Sequence, residues 1–114
     1  MTTAADIKRY RRFRQGEVDG IHYYATLAEI EEDEQLATVY RDMAQMERRH
    51  LALWEAELER AGVNEPRPSP TRKARILMWV AQRLGADTVL PILKANEIGA
   101  DNVYASEPLA AEAY

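Results

Sequence analysis

Two acidic side chains and one histidine stand in positions where a helix normally places apolar residues. Glu47 and His50 are three residues apart in one apolar repeat, and Glu17 lies in another repeat, thirty positions earlier. Ionisable side chains are rarely placed in a core without a partner, and a metal ion is a partner that suits two carboxylates and an imidazole. The residue types and their spacing therefore predict a metal site.

Two long helices are predicted to carry these side chains. The first runs from Ala4 to about Glu31, and the second runs from near Gln35 to Gly62, where glycine suits a C-terminal cap. Their apolar stripes consist of Tyr10, Arg14, Glu17, Ile21, Tyr24 and Ala28 in the first helix, and of Leu36, Tyr40, Met43, Glu47, His50 and Trp54 in the second. Both stripes follow the alternating steps of three and four that an amphipathic helix shows.

The three candidate ligands fall at matching heights if the two helices form an antiparallel hairpin. With a turn near residues 33 and 34, Glu17 lies about 16 residues before the turn, and Glu47 and His50 lie about 13 and 16 residues after it. At a rise of ~1.5 Å per residue, the three side chains lie within about one helical turn of each other. Glu47 and His50 also share one helix face, so they can chelate a single ion.

Each candidate also has a simpler interpretation. A lone Glu-x-x-His on a helix is common by chance, and Glu17 could form a surface pair with Arg14. The metal hypothesis is favoured because all three side chains lie mid-stripe at one height.

Three further residues deserve the same comparison. Glu97 stands in a later apolar stripe and is either a fourth ligand or an exposed acid beside Lys94. His22 lies next to the stripe, which favours a solvated side chain or one that contacts a ligand. Tyr24 is either a core residue or a tyrosine that contacts the ligands.

The rest of the chain predicts shorter helices. Residues 64–70 carry three prolines and form a loop, and a third helix runs from about Thr71 to Leu84. A fourth begins near Asp87 with Pro91 in its first turn, and Ser106-Glu107-Pro108 resembles another helix start. We expect an all-α fold with residues 1–114 as one domain, in which residues 1–63 form the long hairpin and residues 71–114 the shorter helices.

The composition of the chain limits the classes of function that it can have. At 114 residues, 46% of them hydrophobic, the chain supports one modest core. It contains no cysteine, which leaves only carboxylates and imidazoles as metal ligands. The net charge of −4 argues against nucleic-acid binding, and no apolar stretch approaches the ~20 residues that cross a bilayer. We expect a cytoplasmic protein.

These motifs resemble a known superfamily. A Glu on the first helix, Glu-x-x-His on the second and a Glu on a later helix is the ligand order of ferritin-like, rubrerythrin-type di-iron domains. Glu17-Val18-Asp19-Gly20, Glu47-Arg48-Arg49-His50 and Trp54, followed by the proline-rich break, look like the N-terminal domain of membrane-bound ferritins. In those proteins a vacuolar-iron-transporter-type membrane domain follows, which would hold this chain at the inner face of a membrane.

One element of the family pattern is missing. The fourth-helix Glu-x-x-His is absent, since neither Glu107 nor Glu112 has a histidine three residues on. Either the chain is a fragment of a longer protein, or a second chain completes the site. A two-fold pair of hairpins would supply two copies each of Glu17, Glu47 and His50. This arrangement resembles encapsulated ferritins and predicts a homodimer or higher homo-oligomer.

The ligand set suits iron, with Mn or Zn as substitutes. The resemblance implies a di-iron site that oxidises Fe(II) with dioxygen or peroxide, in an iron storage or export system. The alternative is a helical oligomerisation or regulatory module of an iron transporter that binds metal without redox turnover.

Overall fold

The computed structural model describes residues 2–95. Helix α1 spans Ala4–Ile30 and helix α2 spans Glu34–Arg60. Helix α3 spans Arg72–Leu84, a short 3-10 turn follows at Ala86–Thr88, and residues 90–95 are helical again. These residues contain no strand, and the predicted all-α class with one long hairpin is confirmed. The later helix predicted around Ser106 to Pro108 lies outside the described residues.

Local caps explain where the two long helices begin and end. The Thr3 hydroxyl accepts a hydrogen bond from the Asp6 amide, and the Asp6 carboxylate accepts one from the Thr3 amide. At the hairpin turn, the Asp33 carboxylate accepts from the amides of Gln35 and Leu36. Part of the acidic run therefore starts α2, because a carboxylate both caps the first amides and complements the helix dipole.

The end of α2 matches the prediction of a glycine cap. Gly62 has φ +82, and the next amide, that of Val63, donates to the Leu58 carbonyl at 2.9 Å. Glycine enters this left-handed backbone conformation without the steric cost that a Cβ imposes.

Two apolar clusters join α1 to α2 at different heights. Near the open end of the hairpin, the buried Trp54 ring lies 4.8 Å from the Phe13 ring and 5.7 Å from the Tyr10 ring, measured between centroids. Near the turn, a second cluster consists of Tyr24, Leu27, Tyr40, Ala44, Met78, Ala81, Val89 and Leu93. Because early α1 meets late α2 and late α1 meets early α2, the helices are antiparallel.

Helix α3 is tied to the middle of α1. The Asp19 carboxylate accepts hydrogen bonds from the Thr71 amide at 2.9 Å and from the Thr71 hydroxyl at 2.8 Å. The same hydroxyl accepts from the Ala74 amide and so caps α3. Met78 and Ala81 then bury the inner face of α3 in the turn-side cluster.

None of the helices within residues 2–95 combines the length and the apolar character that are needed to cross a membrane.

Candidate metal centre

Glu17, Glu47 and His50 converge between the two apolar clusters. Glu17 is 1% exposed and His50 is 2% exposed, whereas Glu47 is partly buried. One possible ligand atom from each residue lies within 4.8 Å of the others. The structure thus brings together three of the four side chains that the sequence predicts as metal ligands. The fourth, Glu97, lies outside the described residues.

The separation of the donor atoms suits a shared ion. Glu17 Oε2 and His50 Nδ1 are 3.7 Å apart, which is too long for a hydrogen bond. Two donors that each lie ~2.1 Å from one ion are separated by at most ~4.2 Å. The Glu17 and His50 atoms fall inside this limit, and the three residues together offer donor atoms within 4.8 Å of one another.

The types of donor atom limit which metal ions suit this site. Two carboxylate oxygens and one imidazole nitrogen suit iron or manganese, whereas closed structural zinc sites normally contain thiolates or more histidines. Burial also favours a cation here, since a carboxylate as enclosed as Glu17 carries a large desolvation cost that a positive charge offsets.

Gly20 makes room for the Glu47 carboxylate. A Cβ built on Gly20 would lie 2.9 Å from Glu47 Oε2 and 3.2 Å from Glu47 Cδ. Real Cβ contacts are essentially never shorter than 3.0 Å, so the helix backbone of α1 and the carboxylate of α2 meet closely only because residue 20 has no side chain. In the sequence, Gly20 stands only as the last residue of the Glu17-Val18-Asp19-Gly20 motif. A glycine inside a strong helix pattern was the signal of a close approach.

Arg14 lies about one helical turn before Glu17, but its guanidinium group pairs with Glu65. Its guanidinium Nη2 is 2.6 Å from Glu65 Oε1, and Arg11 Nε is 3.0 Å from the same oxygen. The hydrogen bond from Arg11, which has the larger effect, and the hydrogen bond from Arg14 hold the pKa of Glu65 below its usual value. Because Arg14 pairs with Glu65 and Glu17 is buried, the surface pair between Arg14 and Glu17 is not formed.

The remaining candidates are Tyr24 and His22, which lie on the same helix as Glu17. Tyr24 is buried in the turn-side cluster, where its ring centroid is 6.4 Å from that of Tyr40. Burial raises the pKa of Tyr40, and Glu31 and Asp87 act in the same direction. His22 is partly exposed. A role for Tyr24 beside the ligands stays a prediction.

A comparison with protein-family models decides the family. The model of the family described as Rubrerythrin matches residues 14–111, which include Glu17, Glu47, His50 and Glu97. The chain belongs to the rubrerythrin family. A search of curated proteins and a search of solved structures each returned no match.

Membership and geometry agree with each other. The rubrerythrin match covers Glu17, Glu47 and His50, and the hairpin brings these three residues together in space. Together they describe a ferritin-like helical domain with a carboxylate and histidine group that has the composition of an iron site.

Proposed function

We propose that this rubrerythrin-family chain binds iron at a di-iron site and oxidises Fe(II) with dioxygen or peroxide. The observation that carries the proposal is the convergence of Glu17, Glu47 and His50 within 4.8 Å in the interior of the α1–α2 hairpin. Iron bound there would supply reversible exchange between Fe(II) and Fe(III).

Each ligand has a distinct task. The carboxylates of Glu17 and Glu47 would hold the iron and would supply negative charge that favours the higher oxidation state. His50 would supply a nitrogen ligand. The apolar clusters on both sides exclude water, which strengthens the attraction between the carboxylates and a cation. Glu97 is the fourth ligand of the proposal.

A second copy of the chain is the proposed source of the remaining ligands. The α2 helix leaves Leu36, Val39 and Met46 exposed along one side, which supports pairing of two hairpins through α2. A homodimer or higher homo-oligomer would then bring two Glu-x-x-His segments to one centre.

The physiological setting is an iron storage or export system in the cytoplasm. The resemblance of residues 17–20, residues 47–50 and Trp54 to membrane-bound ferritins supports delivery of iron to a transporter domain outside this chain, at the inner face of a membrane.

Anaerobic Fe(II) titration of the purified chain tests the site, with the solution mass measured on the same sample. We expect saturation near two irons per dimer and, on exposure to air, oxidation faster than in buffer. His50→Ala and Glu47→Gln should each lower iron affinity by at least about tenfold. His22→Ala and Glu59→Gln are the matched controls, because both residues lie on the same two helices but outside the cluster.

The result also separates the two candidate functions. Tight binding without accelerated oxidation would indicate the alternative, a metal-binding regulatory module without redox turnover. Unchanged iron binding in His50→Ala would contradict the proposed site itself.

A further inference from the structure

Helix α3 presents an unusual outer face. Its buried residues are Ala74, Met78 and Ala81. On the opposite side, Ile76 is 54% exposed and Trp79 is 55% exposed. Both are large apolar residues at the centre of the solvent-facing side, where a helix that only covers a core carries polar residues. We name this surface, formed by Arg72, Arg75, Ile76, Trp79 and Arg83, the α3 outer face.

Cations surround the apolar centre of this face. Arg72, Arg75, Ile76 and Trp79 line one shallow groove of about 310 Å³. On the next turn, the guanidinium carbon of Arg83 lies 5.3 Å from the centroid of the Trp79 ring. The aromatic ring and the guanidinium groups therefore form one continuous surface and not separate features.

The charge of α3 differs from that of the whole chain. Residues 72–84 contain three arginines, one lysine and no acidic residue, although the chain carries a net charge of −4. On a molecule with a negative net charge, a local positive surface attracts a negatively charged partner to that side of the molecule. Membrane-surface helices combine these features, because basic side chains reach anionic headgroups while Trp and aliphatic residues enter the interfacial layer.

We propose that the α3 outer face docks on an anionic phospholipid surface. The partner must be both negatively charged and able to receive an indole ring and an Ile side chain, and a bilayer interface meets both requirements over a flat area. The hydrogen bonds from Thr71 to Asp19 and the burial of Met78 hold α3 on α1, so the face is presented as a rigid unit. This proposal does not depend on iron, and its test uses the chain without added metal.

Vesicle binding of the full 114-residue chain tests the proposal. Vesicles of phosphatidylcholine mixed with phosphatidylglycerol should sediment the protein, whereas vesicles of phosphatidylcholine alone should not. Binding should weaken as salt is added, because mobile ions screen the attraction. The tryptophan emission should shift to shorter wavelength on binding. That shift reports Trp79, since the only other tryptophan, Trp54, is already fully buried.

Three variants separate the contributions. Arg72→Gln combined with Arg75→Gln should weaken binding to anionic vesicles about thirtyfold, because each basic side chain near the surface contributes about a factor of five. Trp79→Ser should remove the emission shift and weaken binding by about tenfold or more. The control, Lys8→Gln combined with Arg12→Gln, removes the same charge from exposed positions on the far end of α1 and should change binding less than about twofold. Circular dichroism verifies that all variants remain helical.

Two results would overturn the proposal. One is equal binding of the chain to neutral and anionic vesicles, or no binding to either. The other is an equal loss in the control pair, which would mean that overall charge and not the α3 outer face controls binding. A change of solution mass in Trp79→Ser without vesicle binding would assign the face to contact between copies of the chain instead.

Discussion

Gly20 sets the distance between the α1 backbone and the Glu47 carboxylate. Gly20→Ala adds a Cβ that would lie 2.9 Å from Glu47 Oε2, so the carboxylate must move away. Iron affinity should fall by about tenfold or more, the scale of effect seen when support of a ligand is lost. Helix propensity alone would favour alanine by about 1 kcal/mol, so the folded chain should survive. Fe(II) titration together with thermal unfolding measures both effects.

Gly16 provides a matched control for this prediction. It lies in the same helix one turn earlier, and a Cβ there would meet nothing within 4 Å. Gly16→Ala should therefore raise the unfolding temperature and leave iron affinity unchanged. If Gly20→Ala binds iron as tightly as Gly16→Ala does, the close approach has no role in the site.

The sequence predicted that Glu17, Glu47 and His50 lie together, but it did not predict the residues that contact them or their neighbours. Glu17, Glu47 and His50 could be found because ionisable residues interrupt apolar stripes at matching heights, which is visible in one dimension. A glycine inside a helix pattern indicates a close approach at residue 20, but it does not show that the Glu47 carboxylate is the group that approaches. Glu65 contacts Arg11 and Arg14, which are more than fifty positions away, and no periodicity connects such residues.

At the level of elements, Glu65 joins the proline-rich segment to α1. Its pKa is lowered in the folded chain by the hydrogen bond from Arg11 and that from Arg14. A lowered folded pKa means that the ion pair stabilises the fold above the ordinary pKa of 4.5, and that this stability is lost as the pH falls through the folded pKa. Glu65→Gln should therefore lower the unfolding temperature at neutral pH, and the difference from the native chain should shrink in acid.

Thermal unfolding at neutral and acidic pH checks this dependence on pH. Glu32→Gln, a change of the same kind at an exposed position in the hairpin turn, is the control. A constant difference between Glu65→Gln and the native chain at every pH would contradict ionic stabilisation by Glu65.

Thr71 anchors α3 through two interactions of one hydroxyl group. It donates to Asp19 Oδ2 and accepts from the Ala74 amide. Thr71→Ala removes both the helix cap and the link to α1, and should cost about 1–2 kcal/mol of unfolding free energy. Thr71→Ser retains the hydroxyl and should stay close to the native value. Denaturant unfolding measures both variants, and equal stabilities of Thr71→Ala and Thr71→Ser would exclude the proposed anchor.

The sequence predicted the helices better than it predicted how they are joined. Thr3, Asp33 and Gly62 mark helix ends through contacts within a few residues, so the helix boundaries could be predicted from the sequence. The course of residues 64–70 could not, because it depends on Glu65 and on the Asp19–Thr71 contact across the fold. Capping residues close in sequence specify where a helix begins and ends. Hydrogen bonds and ion pairs between residues far apart in sequence specify which neighbour the helix packs against.

At the scale of the whole molecule, the hairpin is a frame that holds the candidate centre between two apolar clusters. The Trp54 cluster fixes the two helices on one side of Glu17 and His50, and the cluster around Tyr24 and Tyr40 fixes them on the other side. Glu17 and His50 are therefore buried, and Glu47 is partly buried, between two parts of the apolar core. The same frame leaves one side of α2 and the outer face of α3 open to partners.

The histidine count predicts how the centre is completed. The ferritin-like pattern uses a Glu-x-x-His segment on each of two helices, yet His22 and His50 are the only histidines of this chain. Of these, only His50 belongs to the cluster with Glu17 and Glu47. In the proposed dimer, His50 of another copy would supply the second imidazole of a di-iron pair. We expect the iron-loaded chain to be a dimer, and dilution that separates the dimer should release the iron.

Analytical ultracentrifugation with metal analysis at several protein concentrations checks this expectation. Glu97→Ala tests whether Glu97 is a ligand at all, because its loss should then lower iron affinity without changing the dimer mass. His22→Ala should alter neither quantity. A monomer that retains two irons would show that one chain completes the centre alone. A loss of iron in His22→Ala would show that His22 takes part in binding, and would contradict the assignment of the second imidazole to His50. Glu17 and His50 lie in one hairpin whichever result is obtained. The experiment therefore decides only whether the remaining ligands come from the same chain or from another copy.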